Sequence, residues 1–276
     1  MKHIGIAINN SKDLDGNILN LVTKRIKDAF EDIKIDIFNT YEIKPSDISK
    51  DLEMLIVLGG DGTLLGVSRK ISSKLDIPLL GINIGNLGFL SSVDISEIDK
   101  AIFKLKNDLF KVENRMLLKC SINDINNDDQ IALNDIVIAR GTLSRMTKFD
   151  IYVDDKYYSS FKGDGLIIAT PTGSTAYSFS AGGPFIYPDL DVILITPICP
   201  HTKSMQTMVL RGDSNIKINT FHEEEDVYLT VDGQKVYEVS KKAIIEINRA
   251  EKEAKLIQFD DYDYFKVLRT KILSKW

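Results

Sequence analysis

The sequence contains few cysteines and has no excess of positive charge. Cys120 and Cys199 are the two cysteines among 276 residues, so the chain lacks the dense disulfide framework of a small secreted domain. Its formal net charge at pH 7 is -5, whereas tight binding to nucleic acid depends on positive charges that neutralise phosphates. We therefore expect a cytoplasmic protein that does not bind nucleic acid.

Long apolar segments are also missing. The apolar stretch from Ile4 to Ile8 is too short for the core of a signal peptide and is followed by Asn9 and Asn10. No other run approaches the roughly 20 apolar residues of a membrane-spanning helix, so we expect no membrane insertion. The three histidines have no spacing typical of metal ligands, and no metal-ligating residues are predicted.

The order of apolar patterns predicts two domains. In residues 1–114, short apolar runs alternate with amphipathic helical stretches, a pattern typical of a parallel sheet with covering helices. In residues 115–259, short β-branched or aromatic segments separated by turn residues predict a β-rich domain. The segments "VDDKY" and "VDGQKV" are predicted hairpin tips. The tail, residues 260–276, has a helical pattern, and we expect it to pack back on the first domain.

The stretch "LGGDGTLL", residues 58–65, follows a predicted buried strand. Clustered glycines at such a point indicate a sharp turn or the close approach of a ligand. Ligands of open α/β sheets bind beyond the carboxyl ends of strands, and helix N-termini bind anions. A carboxylate there, Asp61, is suited to accept a proton from a hydroxyl or to hold a divalent metal. Both roles belong to phosphoryl transfer, although the Gly-Lys-Ser/Thr of a P-loop is absent. The alternative is a purely structural turn in which Asp61 or Thr63 caps the helix.

Three further stretches contain candidate binding residues. "GINIGNLGFLS", residues 81–91, resembles a dinucleotide fingerprint only loosely, and its Phe89 could pack in the core or support an adenine ring. Residues 161–184 contain many hydroxyl side chains between glycines, a surface that suits a polar ligand with several hydroxyls. Asn134 and Asp135 interrupt the apolar strand "ALNDIVIAR", where an unpartnered buried polar group costs about 1–3 kcal/mol. They are expected to meet a ligand or a structural network, and Gln234, beside the turn in "TVDGQKV", is another candidate contact.

Taken together and in this order, the four stretches resemble the ATP-NAD kinase family, whose members phosphorylate the 2′-hydroxyl of the adenosine ribose of NAD to make NADP. The stretch "GDGLIIATPTGSTAYSFSAGGP" is the specific part of the match, because diacylglycerol and sphingosine kinases, and distantly phosphofructokinases, also carry "GGDGT". The resemblance implies a Rossmann-like N-terminal domain and a β-rich, β-sandwich-like C-terminal domain. It also implies NAD and ATP (or inorganic polyphosphate) as substrates and a homodimer or homotetramer. Mg²⁺ or Mn²⁺ is expected on the donor triphosphate.

The resemblance also implies roles for individual residues. Asp61 corresponds to the general base, Phe89 to a residue that flanks the adenine, Asn134 and Asp135 to the pair that binds ribose hydroxyls, and Asp164 to a residue near the nicotinamide part. The remaining contact positions are Gly62, Arg145, Lys162, Thr172, Thr175, Ala176, Tyr177, Ser178, Phe179, Ser180, Cys199 and Gln234.

Two positions depart from the family pattern. Asp135 stands where the family most often has Glu, and Gly66 stands where some members have Arg. Two other functions remain open from the sequence: a lipid or sugar kinase that shares "GGDGT", and a non-catalytic sensor that binds NAD(H) or NADP(H).

Overall fold

The chain divides into two compact units. The computed structural model describes residues 1–85, 88–91, 93–123, 129–141, 146–202, 205–221 and 226–272. The first unit comprises Met1–Asn114 with the described residues from Ala254 onward, and the second comprises Arg115–Glu253. The fold class expected from the sequence is confirmed, because the first unit is α/β and the second is β-rich.

The bounds of the strands and helices follow the apolar pattern of the sequence closely. The strands are β1 (His3–Ile8), β2 (Lys34–Asn39), β3 (Met54–Gly59), β4 (Leu79–Asn83), β5 (Val93–Asp94), β6 (Phe110–Arg115), β7 (Leu118–Ile122), β8 (Gln130–Ala132), β9 (Asp135–Arg140), β10 (Thr147–Val153), β11 (Lys156–Gly163), β12 (Gly165–Ala169), β13 (Val192–Ile198), β14 (Met208–Arg211), β15 (Ile216–Phe221), β16 (Val227–Val231), β17 (Lys235–Val239), β18 (Ile244–Arg249) and β19 (Ala254–Phe259). The helices are α1 (Asn17–Ala29), α2 (Asp61–Ile71), α3 (Ile98–Lys106), α4 (Tyr177–Ser180) and α5 (Tyr264–Lys271). Among the helices of the described residues, none has the length and apolarity needed to cross a membrane.

The first unit is built on a sheet whose central strands are buried on both faces. Its strand order is β2-β1-β3-β4-β19-β6, and β5 pairs with β4. β1 pairs in parallel with both β2 and β3, so that Ile6 lies opposite Ile37 and Ile56. Every residue of β1 and β3 is buried, as expected for parallel strands covered by helices on both sides.

The order in which the chain adds strands to this sheet changes side at β1. From β1 the chain passes through α1 to β2 on one side, and then to β3 on the opposite side of β1. In open α/β sheets, ligands bind beyond the carboxyl ends of the strands at such a reversal. The turns that follow β1 and β3 therefore lie at the sheet edge where a ligand is expected.

The helices of the first unit close its core with their apolar faces. Val22 and Ile26 of α1 and Ile98 and Ile102 of α3 belong to one buried cluster with the sheet strands. Leu64 of α2 is also fully buried. Burial of side chains of this size stabilises the unit by about 1.5–3 kcal/mol each, which secures the turns that these elements carry.

The position of β19 differs from the sequence-based division into domains. Residues 254–259 were expected in the second domain, but β19 joins the sheet of the first unit, where Leu256 pairs in parallel with Leu79. A short apolar run does not reveal its pairing partner, because parallel and antiparallel strands can carry the same residues. α5 also belongs to the first unit, in which Lys104 of α3 forms an ion pair with Asp261, just before α5.

The second unit contains two six-stranded antiparallel sheets. Their strand orders are β11-β10-β15-β18-β7-β8 and β14-β13-β12-β9-β16-β17. Residues from both sheets form one buried cluster, for example Phe149 of β10 and Ile138 of β9. A smaller cluster on β9, β12 and β13 is covered by Ala181 and Ile186, which places the segment after β12 against the face of the second sheet.

Both predicted hairpin tips are confirmed. Asp154 and Asp155 join β10 to β11 with φ angles of 49° and 60°. The three residues 232–234 join β16 to β17, and φ is 50° at Asp232 and 61° at Gly233. A type I′ turn requires positive φ at both central residues, which Asp, Asn and Gly tolerate. Asp232 therefore occupies a fixed position at the end of its hairpin.

Candidate active site

The glycines of "LGGDGT" make room for neighbouring side chains. A Cβ atom on Gly59 would lie 2.4 Å from Cβ of Thr63, so the strand can pass directly into α2 only if this residue is glycine. Gly60 is the N-cap of α2, and no side chain makes a capping hydrogen bond there. The structural alternative, in which Asp61 or Thr63 caps the helix, is therefore not observed.

The carboxylate of Asp61 is held by the segment 88–91 instead. Its Oδ2 accepts a hydrogen bond from the backbone N–H of Phe89 at 2.6 Å, and its Oδ1 accepts from that of Leu90 at 3.1 Å. Ser91 donates to Oδ1 twice, through its backbone N–H and its hydroxyl, both at 3.2 Å. The second predicted motif is thus the partner of the first, a pairing that the sequence does not reveal.

Lys12, which no sequence motif singled out, lies beside the same turn. It ends the short 3₁₀ turn Asn10–Lys12 after β1, and its ammonium nitrogen lies 3.3 Å from where a Cβ on Gly60 would be. In the part of the chain that the structure describes, this ammonium has no carboxylate partner within 4.0 Å. A free positive charge therefore stands next to the N-terminus of α2, where helix dipole and amide groups also favour an anion.

In the second unit, Asp232 holds the backbone at the start of β9, a role that the sequence pattern did not predict. Its carboxylate accepts hydrogen bonds from the backbone N–H groups of Leu133 at 3.1 Å, Asn134 at 2.8 Å and Asp135 at 3.2 Å. The hairpin pattern of "TVDGQ" explained Asp232 as a turn residue, so nothing in the sequence pointed to a second task. Asp232 is 7% exposed, and three donors compensate for the burial of its charge.

Asn134 and Asp135, at the start of β9, remain candidate ligand-binding residues. Asp135 is buried, and this burial, reinforced by the neighbouring charge of Asp232, raises the pKa of Asp135 to about 7. The backbone N–H of Tyr177 donates to the same carboxyl group and opposes this rise in pKa. The side-chain oxygen of Asn134 is buried and has no hydrogen-bond partner within the described residues, so a donor from a ligand would satisfy it.

The hydroxyl-rich segment after β12 divides into internal and exposed side chains. Thr170 and Ser174 bond to backbone groups, and Ser178 bonds to the hydroxyl of Thr196 at 2.9 Å. The hydroxyl of Ser178 is therefore used inside the unit. Other predicted contact residues of this segment are differently exposed: Thr172 is buried, Thr175 and Ala176 are half-buried, and Tyr177, Phe179 and Ser180 are exposed.

Gly173 explains how this segment approaches Asn134. A Cβ on Gly173 would lie 2.1 Å from the backbone oxygen of Asn134, and the N–H of Thr170 donates to that oxygen at 2.9 Å. Only a glycine allows this contact. The structure thus brings the Asn134–Asp135 pair and the hydroxyl-rich segment together.

The remaining predicted contact residues belong to several different strands, turns and helices. Asp164 forms an ion pair with Arg140 at 2.7 Å, a partner that the sequence did not suggest. Lys162, Cys199 and Gln234 are exposed, and Cys199 has a positive φ of 44°. Gly62 is the second residue of α2, Phe89 is half-buried, and Arg145 lies outside the described residues.

The residues near Asp61 are compatible with a divalent cation that arrives on phosphates. No group of three or more His, Cys, Asp or Glu side chains that could hold a metal occurs in the described parts of the chain. Mg²⁺ is commonly bound by one or two carboxylates together with substrate phosphates rather than by a cage of protein ligands. One carboxylate in the first turn of α2 fits this type of coordination.

Comparison with known proteins finds family models and relatives that match most of the chain. Models of the ATP-NAD kinase N-terminal and C-terminal domains match residues 2–110 and 133–259. NAD kinases from Clostridium beijerinckii and Clostridium perfringens are 61% and 48% identical to the chain, and each alignment covers 99% of the chain and at least 96% of the relative.

Two solved structures share the fold. A yeast NADH kinase complexed with NADH has a TM-score of 0.83 and 25% identity, covering 99% of this chain and 88% of its own. An NAD kinase from Archaeoglobus fulgidus in complex with ATP has a TM-score of 0.77 and 26% identity, covering 99% of each chain. The structural likeness therefore extends over the same full length as the sequence likeness.

Proposed function

The chain belongs to the ATP-NAD kinase family and phosphorylates NAD, and we propose that Asp61 is the general base of this reaction. The lipid or sugar kinase alternative is not favoured, because relatives that match nearly the whole chain are NAD kinases. In the proposed step, Asp61 accepts the proton of the 2′-hydroxyl on the adenosine ribose. The hydroxyl oxygen then bonds to the terminal phosphorus of ATP, the bond from this phosphorus to the bridging oxygen breaks, and ADP leaves.

The observation that carries this proposal is the placement of Asp61. Its carboxylate is fixed by four donors at the sheet edge beyond β3, where the strand order predicts a ligand. A ribose hydroxyl is a weak nucleophile at neutral pH, and a positioned base contributes about 10²- to 10⁴-fold in rate. This placement supports a base better than a direct phosphate ligand, because a carboxylate repels phosphate.

The donor phosphates are proposed to bind beside the same turn. The backbone N–H groups at the start of α2 favour an anion, and the ammonium of Lys12, which has no carboxylate partner among the described residues, lies next to Gly60. Lys12 then supplies part of the positive charge that the lysine of a P-loop supplies elsewhere. When bound with ATP, Mg²⁺ or Mn²⁺ neutralises charge that develops on the phosphates.

The second unit is proposed to hold the dinucleotide. The side-chain oxygen of Asn134, which has no partner within the described residues, and the carboxyl group of Asp135 accept hydrogen bonds from ribose hydroxyls. Tyr177 and Phe179 offer exposed aromatic surface for stacking. Asp135 is shorter than the Glu common in the family, so its ribose contact requires a closer approach. The remaining contacts, including Lys162, Asp164 and Gln234, keep their predicted roles in this proposal.

Assembly and location are part of the proposal. The resemblance supports a homodimer or homotetramer, which sedimentation velocity would distinguish by mass. The composition supports a cytoplasmic location, which fractionation of the source cells tests directly.

The test of the proposal is an NADP-formation assay with an Asp61→Asn variant. We expect this variant to keep its affinity for NAD, measured by calorimetry, and to lose nearly all turnover. Asp28→Asn, an exposed position on α1, is the matched control and is expected to retain full activity. Full activity of Asp61→Asn would show that this carboxylate takes no part in the chemistry. An assay of the wild type that combines NAD or NADH with ATP or polyphosphate identifies the preferred substrates.

A further inference from the structure

The four hydrogen bonds to the Asp61 carboxylate are divided unequally between its two oxygens. Oδ1 accepts three, from the N–H of Leu90 and from both the N–H and the hydroxyl of Ser91. Oδ2 accepts one, from the N–H of Phe89. A carboxylate has about four lone-pair sites, two on each oxygen. Among the described residues, Oδ1 therefore meets more donors than its two sites, whereas Oδ2 has one donor and one open site.

We propose that Ser91 is a positioning residue that occupies Oδ1 and thereby makes Oδ2 the oxygen that receives the proton. This inference rests on the proposed role of Asp61 as the base. Ser91 does not touch the substrate; it acts by preventing rotation of the carboxylate about its Cβ–Cγ bond. The substrate hydroxyl then donates to the open site on Oδ2, and its proton passes to that oxygen.

Ser91 is placed for this contact by the sheet. It is 3% exposed, and a Cβ on Gly81 of β4 would lie 3.1 Å from the Cα of Ser91. The missing side chain at Gly81 therefore lets the segment approach β4 closely enough to direct Ser91 at Asp61. Leu90, also buried, anchors the same segment, so the hydroxyl is held by buried neighbours and is not an exposed group that meets Asp61 by chance.

A buried hydroxyl with an ionised partner contributes more than an ordinary hydrogen bond. Hydrogen bonds to charged groups are stronger than neutral ones by roughly twofold, and small misplacement of a catalytic group is costly in rate. When the hydroxyl is removed, the three backbone N–H groups remain, and two of them still donate to Oδ1 and restrain its rotation. We therefore expect partial loss of rate, not the near-complete loss expected for Asp61→Asn.

The test compares Ser91→Ala, Ser91→Thr and the control Ser72→Ala in the full-length protein. Ser72 is also a buried serine of the first unit, and its hydroxyl bonds to that of Ser68 at 3.3 Å, away from Asp61. Ser91→Ala is expected to lower kcat about tenfold while KM for NAD and for ATP stays within about twofold. Ser91→Thr, which keeps the hydroxyl, is expected to recover most of kcat. Ser72→Ala is expected to reduce thermal stability without changing kcat.

The Asp61→Asn background separates this inference from the proposed function. There, Ser91→Ala is expected to have no further effect, because the two residues act as one unit. If Asp61→Asn is inactive and Ser91→Ala has normal kcat, the inference about Ser91 is wrong and the role of Asp61 stands. If Asp61→Asn is active, the proposed base is wrong and the inference fails with it.

Other outcomes also count against Ser91 as a positioning residue. A higher kcat in Ser91→Ala would mean that the hydroxyl restrains the base instead of orienting it. A raised KM with unchanged kcat would make Ser91 a binding residue, and an equal loss of kcat in Ser72→Ala would make the effect one of stability.

Discussion

Gly88 lies directly against the carboxylate of Asp61, so that a Cβ atom on Gly88 would be 1.9 Å from Oδ1. Real Cβ atoms do not approach oxygens so closely, and the carboxylate would have to move. The glycine in "NLGFL" is therefore required by a side chain 27 positions earlier in the chain, not by its own backbone conformation.

Gly88→Ala should inactivate the enzyme without unfolding it. The added methyl displaces Asp61, and misplacement of a catalytic group by about 1 Å can cost on the order of 10²-fold in rate. The measurement is kcat for NADP formation beside a thermal unfolding curve. Gly85→Ala is the matched control, because its Cβ would lie an ordinary 3.7 Å from Oδ1 of Asn83. Equal activity in the two variants would contradict this account.

Asp232→Asn should weaken both folding and NAD binding. The amide of Asn has one acceptor oxygen, so at least one of the three N–H groups at residues 133–135 loses its partner, at a cost of about 1–3 kcal/mol in the free energy of unfolding. Denaturant titration and calorimetry with NAD measure the two effects. Asp155→Asn, at an exposed hairpin position with φ of 60°, is the control and should change neither the free energy of unfolding nor the affinity for NAD. Unchanged NAD affinity in Asp232→Asn would show that Asp232 does not position Asn134 and Asp135.

The pH dependence of stability should reveal Asp135. Folding raises its pKa from 3.8 to about 7, chiefly by burial, so the folded protein binds this proton more tightly than the unfolded chain. The resulting stabilisation is present below about pH 4 and is lost as pH rises to about 7. Relative to the wild type, Asp135→Asn should therefore gain stability progressively between these values and show a constant difference above them.

Urea denaturation at intervals from pH 4 to 8 tests this expectation. Asp155→Asn is the control, and its curve should run parallel to that of the wild type. Parallel curves for Asp135→Asn as well would mean that the carboxyl group of Asp135 titrates normally.

Lys12→Ala should weaken binding of the phosphate donor. Loss of one hydrogen bond to a charged group corresponds to roughly a tenfold increase in KM for ATP, whereas KM for NAD should change little. Lys12→Arg keeps the charge and should be less affected. Lys27→Ala, an exposed position on α1, is the control, and an unchanged KM for ATP in Lys12→Ala would separate Lys12 from the donor.

Local patterns predicted much of the fold. β1 and β3 appear within one residue of the apolar runs that predicted them, because a buried strand needs a continuous apolar sequence. The hairpin at Asp154 and Asp155 was predictable since only a few residue types adopt positive φ. β19 was expected in the second domain but joins the sheet of the first unit, because a short apolar run does not reveal its pairing partner.

The candidate site was predicted unevenly. Asp61, Asn134 and Asp135 could be proposed from the sequence because a carboxylate or amide inside an apolar or glycine-rich stretch needs a polar partner, and their roles stay predictions. Asp232 and Ser91 were missed, since each has an ordinary local explanation, a turn and a loop serine. Ser178 stays a predicted ligand contact. Its hydroxyl bonds to Thr196, which the sequence did not indicate, because a run of hydroxyl residues does not reveal which side chains face inward.

By itself, the sequence determined the strands, the hairpins, the family and the presence of a lone acid after a buried strand, because these depend on residues close together in the chain. Only the tertiary structure decided which segment holds that acid and which hairpin supports Asn134. Both contacts join residues far apart in sequence, and their hydrogen bonds depend on distances of a few ångströms that strand order and packing set.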